Sequence, residues 1–220
     1  MHRLWLVVLL MGCSSATPEP VWYGHIGITD EETLRAVRER LQAEDAAHVR
    51  IRHVAPSENP RAVAVRLLAL NGVKGLILGP GVTEVAQVVA AVRPYEVPVL
   101  VLQESEPIDG ARILGGKPGT RLAALLDHLE SREKDTPLRV EGNPDALRGR
   151  MLRIEAQAQA VLNTEEASYR RPGVEIEVIN ESATVVEAIN DLIRGPDAWS
   201  EPTPRISLRA TATPLPAANP

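Results

Sequence analysis

The chain has 220 residues, is 44% hydrophobic and carries a formal net charge of -5. That acidic balance argues against a nucleic-acid partner, which requires a basic face, and 3% aromatic residues with no Phe leave little material for stacking on bases or sugar rings. The length fits one domain or two small lobes, whose core must be filled by Ala, Val and Leu.

The first element is a secretory signal. His2 and Arg3 form a small basic start, Leu4 to Leu10 an apolar run, and Ser14-Ser15-Ala16-Thr17-Pro18 a small polar spacer. The run is too short to cross a bilayer as a helix. Cys13 is the only cysteine and directly follows Leu10-Met11-Gly12. This placement resembles the lipobox of bacterial lipoproteins, with Met11 where a small or branched residue is usual. The resemblance implies residues 1-12 as signal peptide, lipidation at Cys13, residues 13-20 as linker, and a cell-envelope chain anchored to a membrane on its periplasmic side or cell surface. Ser14 in place of Asp implies no retention at the inner membrane of a two-membrane organism.

The remaining chain alternates strand and helix, the pattern of an α/β protein with helices on both faces of a largely parallel sheet. Residues 21-29 read as a strand. Thr29-Asp30-Glu31-Glu32 reads as a capping box opening a helix with Leu34, Val37 and Leu41 on one face. Residues 49-54 alternate as a second strand. A helix over 61-70 is closed by Gly72. Residues 74-79 and 97-102 are strands apolar on both faces, and so central, with a Val- and Ala-rich helix at 82-92 between them.

After a turn at 107-110 the rhythm resumes. A short strand at 111-114 precedes an amphipathic helix at 120-130, and 138-141 is a strand. Asn143-Pro144 opens a predicted helix that runs through Met151 and Ile154 to Val161 or beyond. A strand at 174-179 and a helix at 182-193 follow. Residues 196-220 form a Pro-rich, partly disordered tail, with Arg205 to Arg209 as a possible extra strand.

Residues Gly72-Val73-Lys74-Gly75-Leu76-Ile77-Leu78-Gly79-Pro80 and Val97-Pro98-Val99-Leu100-Val101 resemble segments of the first lobe of the type 1 periplasmic binding fold. Lys74 stands where Asp is common there. That superfamily includes sugar- and branched-chain amino-acid-binding proteins and the ligand domains of lactose-repressor-like regulators. Gly116 to Leu129, Val140 to Pro144, Arg150 and residues 174-193 are similar to its second lobe, here shortened. The resemblance implies two Rossmann-like lobes with parallel sheets flanked by helices, the first at 21-110 and a truncated second at 111-195. It also implies solute binding or sensing, with noncovalent capture between the lobes and hinge closure. A transporter or envelope protein is the implied partner.

In open parallel sheets ligands bind beyond the carboxyl ends of the strands. Those ends offer Thr29, Asp30, Ser57, Gly79, Pro80, Gly81, Thr83, Gln103, Glu104, Asn143 and Asn180, with Arg150 added by the resemblance. In the loop Gly79-Pro80-Gly81-Val82-Thr83 the backbone can approach a ligand closely, and the following helix start offers N–H groups to an anion. A small polar or anionic solute fits these loops.

Gly115 to Thr120 is not a phosphate loop, because its spacing is wrong and Pro118 replaces the needed Ser or Thr. Lys117 is expected to be a solvated loop lysine. His25, His48 and His53 lack the carboxylate or thiol companions of a metal site, and each is expected to be an ordinary histidine with one hydrogen bond. No Gly-x-Ser-x-Gly elbow is present. The expectation is a non-enzyme without a cofactor. The rival reading is a lipoprotein scaffold that binds protein partners and no small molecule.

Overall fold

The computed structural model describes residues 19–27, 31–43, 48–55, 59–133, 135–195 and 206–213. Cys13 and the N-cap Thr29 lie outside them. Two five-stranded sheets organise the chain, in the order β2-β1-β3-β4-β5 and β10-β9-β8-β7-β6.

The first sheet contains β1 (Val21–Ile26), β2 (Val49–Val54), β3 (Leu76–Leu78), β4 (Val99–Val101) and β5 (Ala111–Ile113). All its pairings are parallel. β3 and β4 are buried at every residue, as expected of strands covered on both faces. On one face, α2 (Pro60–Asn71) and α3 (Val85–Val92) pack Val63, Leu67, Val88 and Val89 against Ile26, Leu76, Leu78, Val99 and Val101. On the other, α1 (Glu31–Ala43) contributes Val37, and α5 (Ser182–Arg194) contributes Val185, Ala188, Ile189 and Leu192, against Tyr23, Ile77 and Leu100. Local signals set the helix ends. Asn59 caps α2 by accepting from the Ala62 amide at 3.0 Å, Pro60 takes its first position, and Gly72 closes it in the left-handed region at φ 58°. Trp22 packs at its strand, with the Arg52 guanidinium 5.1 Å above its ring.

The second sheet contains β6 (Leu138–Glu141), β7 (Ala160–Asn163), β8 (Ser168–Arg171), β9 (Val174–Asn180) and β10 (Ile206–Ala212). It is mixed. β6 and β7 run parallel, whereas β7, β8, β9 and β10 pair antiparallel. The antiparallel run follows from tight turns. Asn163 Oδ1 accepts from the amides of Glu165 and Glu166 between β7 and β8, and Gly173 sits at φ 87° between β8 and β9. One helix, α4 (Thr120–Arg132), covers one face, packing Leu122, Leu125, Leu126 and Leu129 against Leu138, Leu162, Tyr169, Ile176 and Val178.

Three expectations are corrected. Residues 144–161 do not form a long helix: Pro144–Leu147 is a single 3₁₀ turn. Gly149 follows at φ 80°, and the chain then lies alongside β6, where Leu138 bridges Ile154. The division at residue 110 does not coincide with the sheets, because β5 pairs with β4 in the first sheet and α5 packs on that sheet. The possible extra strand at 205–209 runs further, to Ala212, and as β10 forms a full edge pairing with β9.

Candidate functional site

The carboxyl edge of the first sheet is the place where backbone and second sheet meet. Its strand ends are tied in sequence. The Gly27 amide donates to Val54, Gly79 to Ile26 at 2.7 Å, Leu102 to Leu78 at 2.8 Å, and Leu114 to Val101 at 2.7 Å. Gly27 adopts φ 127°, and a Cβ there would stand 2.8 Å from the Gly79 backbone, so the two loops touch main chain to main chain. Gly79 is buried, Pro80 half-buried, and Gly81 and Thr83 are exposed. The α3 start after them has no side-chain cap.

The end of β4 carries the densest set of contacts. Gln103 Nε2 donates to the Val82 carbonyl at 2.9 Å, tying this loop to the one before α3. Asn180, at the end of β9, donates from Nδ2 to the Leu102 carbonyl at 2.6 Å. Arg121 on α4 reaches the same oxygen at 3.4 Å. The Glu104 carboxylate accepts from the Gly119 amide at 2.9 Å and from the Arg121 amide. Burial lowers the pKa of the Arg121 guanidinium, and the charge of Glu104 acts against that. The chain crosses between the sheets here, through 114–119 and again at Glu181.

Of the residues expected from sequence, Gly79, Pro80, Gly81, Thr83, Gln103, Glu104 and Asn180 are gathered along this edge. Thr29, Asp30 and Ser57 lie outside the described residues. Asn143 sits at the end of β6, where its Oδ1 caps the 3₁₀ turn through the Asp145 amide and its own amide donates to Thr164 Oγ1. Arg150 is not placed on the first sheet's edge. It pairs with Asp127 at 2.8 Å and Glu130 at 3.2 Å on α4, and the hydrogen bond to Asp127 is the largest influence raising its pKa. Its role is to pin the irregular 148–155 segment to the helix.

Arg121 is the edge residue that sequence reasoning missed. Nothing in a helical arginine at that spacing distinguishes it from a solvated one. Lys117 is exposed, as expected.

The register of β1 and β2 sets His25 opposite His53. Their Nδ1 atoms lie 2.7 Å apart, with ring centroids at 4.8 Å. Burial, and secondarily the proximity of His53, lower the His25 pKa to about 4, so that imidazole is neutral near neutral pH. Among the described residues no group of three or more His, Cys, Asp or Glu is arranged to hold a metal, and no helix is long and apolar enough to cross a membrane.

No protein-family model and no curated protein matches the chain. Solved structures do. The chain is similar to an ABC-transporter solute-binding protein from R. palustris in complex with 4-hydroxybenzoate, at 12% identity and TM-score 0.38, covering 56% of this chain and 38% of that one. It is similar to the branched-chain amino acid transporter substrate-binding protein LivJ from Streptococcus pneumoniae in complex with isoleucine, at 13% identity and TM-score 0.42, covering 56% and 42%. A third neighbour, an ABC-transporter solute-binding protein from Rhodopseudomonas palustris HaA2 in complex with p-hydroxybenzoic acid, matches at 13% identity and TM-score 0.45, covering 80% and 60%. The chain thus covers less than two thirds of each neighbour's length, and the likeness is one of fold.

Proposed function

We propose that this chain is a non-catalytic solute-binding protein that holds a small polar or anionic solute at the carboxyl edge of its parallel sheet, between the two sheets. The observation that carries the reading is the gathering of Gly79 to Thr83, Gln103 and Asn180 where the chain passes from one sheet to the other. Close main-chain approach at Gly27 and Gly79 brings the loops after β1 and β3 together at this edge without bulky side chains between them. The uncapped start of α3 offers N–H groups to a negative group. The solved neighbours bind small molecules and belong to ABC transporters, which supports a transporter as the partner. Lipidation at Cys13 would keep the protein beside such a partner in the cell envelope.

A thermal-shift series on the chain from residue 20, with amino acids, aromatic acids, sugars and inorganic anions, tests the reading. A true solute at a hundredfold excess over its dissociation constant stabilises by about 2.7 kcal/mol, and Thr83→Trp, which puts a bulky side chain in the loop before α3, abolishes the effect. Uniform absence of a saturable shift rejects it. Mass spectrometry of the membrane-extracted N-terminus tests the anchor: an unmodified Cys13 removes it.

One observation favours the rival, a scaffold for protein partners. The outward face of α2 and α3 carries Ala62, Ala69, Leu70, Ala86 and Ala90 exposed, with Leu70 at 78%. A groove of about 690 Å³ runs beside them. Apolar exposure of that kind marks interaction surfaces. Under this reading Leu70→Glu abolishes partner capture and leaves solute-induced shifts absent in both proteins.

A further inference from the structure

α4 begins without a cap of its own. Gly119 stands at the N-cap position at φ 86° and offers no side chain, and the first turn holds no acidic residue. Thr120 turns its hydroxyl back to the Lys117 carbonyl at 2.7 Å. The first amides of any helix need acceptors from outside it, and most helices find them in a neighbouring Ser, Thr, Asp or Asn. Asn59 does this for α2 and Asn143 for the 3₁₀ turn. For α4 the acceptor comes from far along the chain: Glu104, after β4, gives one carboxylate oxygen to the Gly119 amide and the other to the Arg121 amide. Its negative charge also complements the positive end of the α4 dipole.

Around this contact the two segments lie flat on each other. A Cβ on Gly115 would stand 2.1 Å from the Gln103 carbonyl carbon, so only glycine allows the approach. The Ser105 amide donates to the Gly116 carbonyl at 3.1 Å. Arg121 and Asn180, both from elements of the second sheet, converge on the Leu102 carbonyl. Glu104 therefore supplies what α4 lacks, and it does so across the junction between the two sheets.

We propose that Glu104 is a clasp: its carboxylate on the first turn of α4 fixes the spacing of the second sheet from the carboxyl edge of the first, and the two sheets separate when that contact is released. That this separation would admit a solute rests on the reading of this edge as the solute site; the clasp itself does not.

Hydrogen exchange and small-angle scattering on the chain from residue 20, without solute, test this in wild type, Glu104→Gln and Glu104→Ala. In Glu104→Ala the amides of 119–123 exchange about five- to tenfold faster, the effect of losing one cap. Glu104→Gln lies between, the amides of β3 and β9 keep their wild-type rates, and the radius of gyration rises. Unchanged exchange at 119–123, unchanged scattering, or equal acceleration of β3 with 119–123 in both variants overturns the proposal. The last outcome would mean that Glu104 only stabilises the fold. If Glu104→Ala does not fold, Glu104→Gln decides alone, by the same readings. A clasp that behaves as described in a protein that takes no solute leaves the inference standing and rejects the solute reading.

Discussion

The two sheets use the same apolar residues to opposite ends. In the first, the neighbours Leu100 and Val101 on β4 are both fully buried, one in each of two separate cores. In the second, Ile176 and Val178 on β9 are buried under α4, while Glu177 between them is exposed. Parallel strands need crossover helices, which cover both faces; hairpins need none, so one face can remain in water. The difference shows why the solute reading centres on the first sheet. Only there do the strands release their loops together at one edge, backed by a dry interior.

The comparison can be broken most severely at α5, which leaves the second sheet and packs on the first. Asp191 and Arg112 form a pair at 3.3 Å, each about a tenth exposed or less. Asp191→Ala removes a carboxylate partner from the buried Arg112 and costs about 3–5 kcal/mol by urea denaturation. A loss under 1 kcal/mol would show that α5 is not fastened by this pair. Next come the strands themselves. Leu100→Ala and Ile176→Ala each cost roughly 2–5 kcal/mol, but Glu177→Ala stays within about 0.5 kcal/mol of wild type. A large loss at Glu177 would mean that the outer face of the second sheet is covered.

The buried His25 adds a pH dependence that belongs to the first sheet alone. Its folded pKa of about 4 lies below the ordinary 6.5. Between those values the unfolded chain binds more protons, so the stability due to neutral His25 is whole above pH 6.5 and is lost as pH falls through 4. Wild type should lose about 1–2 kcal/mol more than His25→Gln between pH 6.5 and 5, at roughly 1.4 kcal/mol per unit. Parallel profiles for the two proteins would reject this. The smallest effect is expected at the exposed pair of Arg93 and Asp109, 2.6 Å apart at 69% and 81% exposure. Arg93→Ala changes the urea midpoint by less than about 0.5 kcal/mol equivalent, and a larger shift would contradict its assignment as a solvated pair.

Much of the first sheet was legible because its signals are local. Apolar runs at 74–79 and 97–102 read as central strands, and Gly72 read as a helix stop. The second sheet was harder. Pro172-Gly173 is a turn signal that separates β8 from β9, and Asn163 nucleates the turn before β8, yet β7 and β8 have only four residues each. Asn143-Pro144 gave a sound helix start, but Gly149 ended it within a turn. At the candidate site, the glycine loop and the strand-end polar residues were readable from position alone. The pairing of Arg150 was not readable, because its partners, Asp127 and Glu130, sit 23 and 20 residues away.

The sequence by itself determined the alternation of strands and helices, the two-sided burial of β3 and β4, and the glycine stop of α2. These depend on residues within a few positions of one another, which share a face by the period of helix or strand. Only the tertiary structure decided that β5 and α5 belong with the first sheet, that the second sheet is mixed, and that α4 borrows its cap from Glu104. Those outcomes turn on which surfaces meet across long separations, 79 residues for Arg112 and Asp191, where one segment's pattern says what it must bury but not against whom.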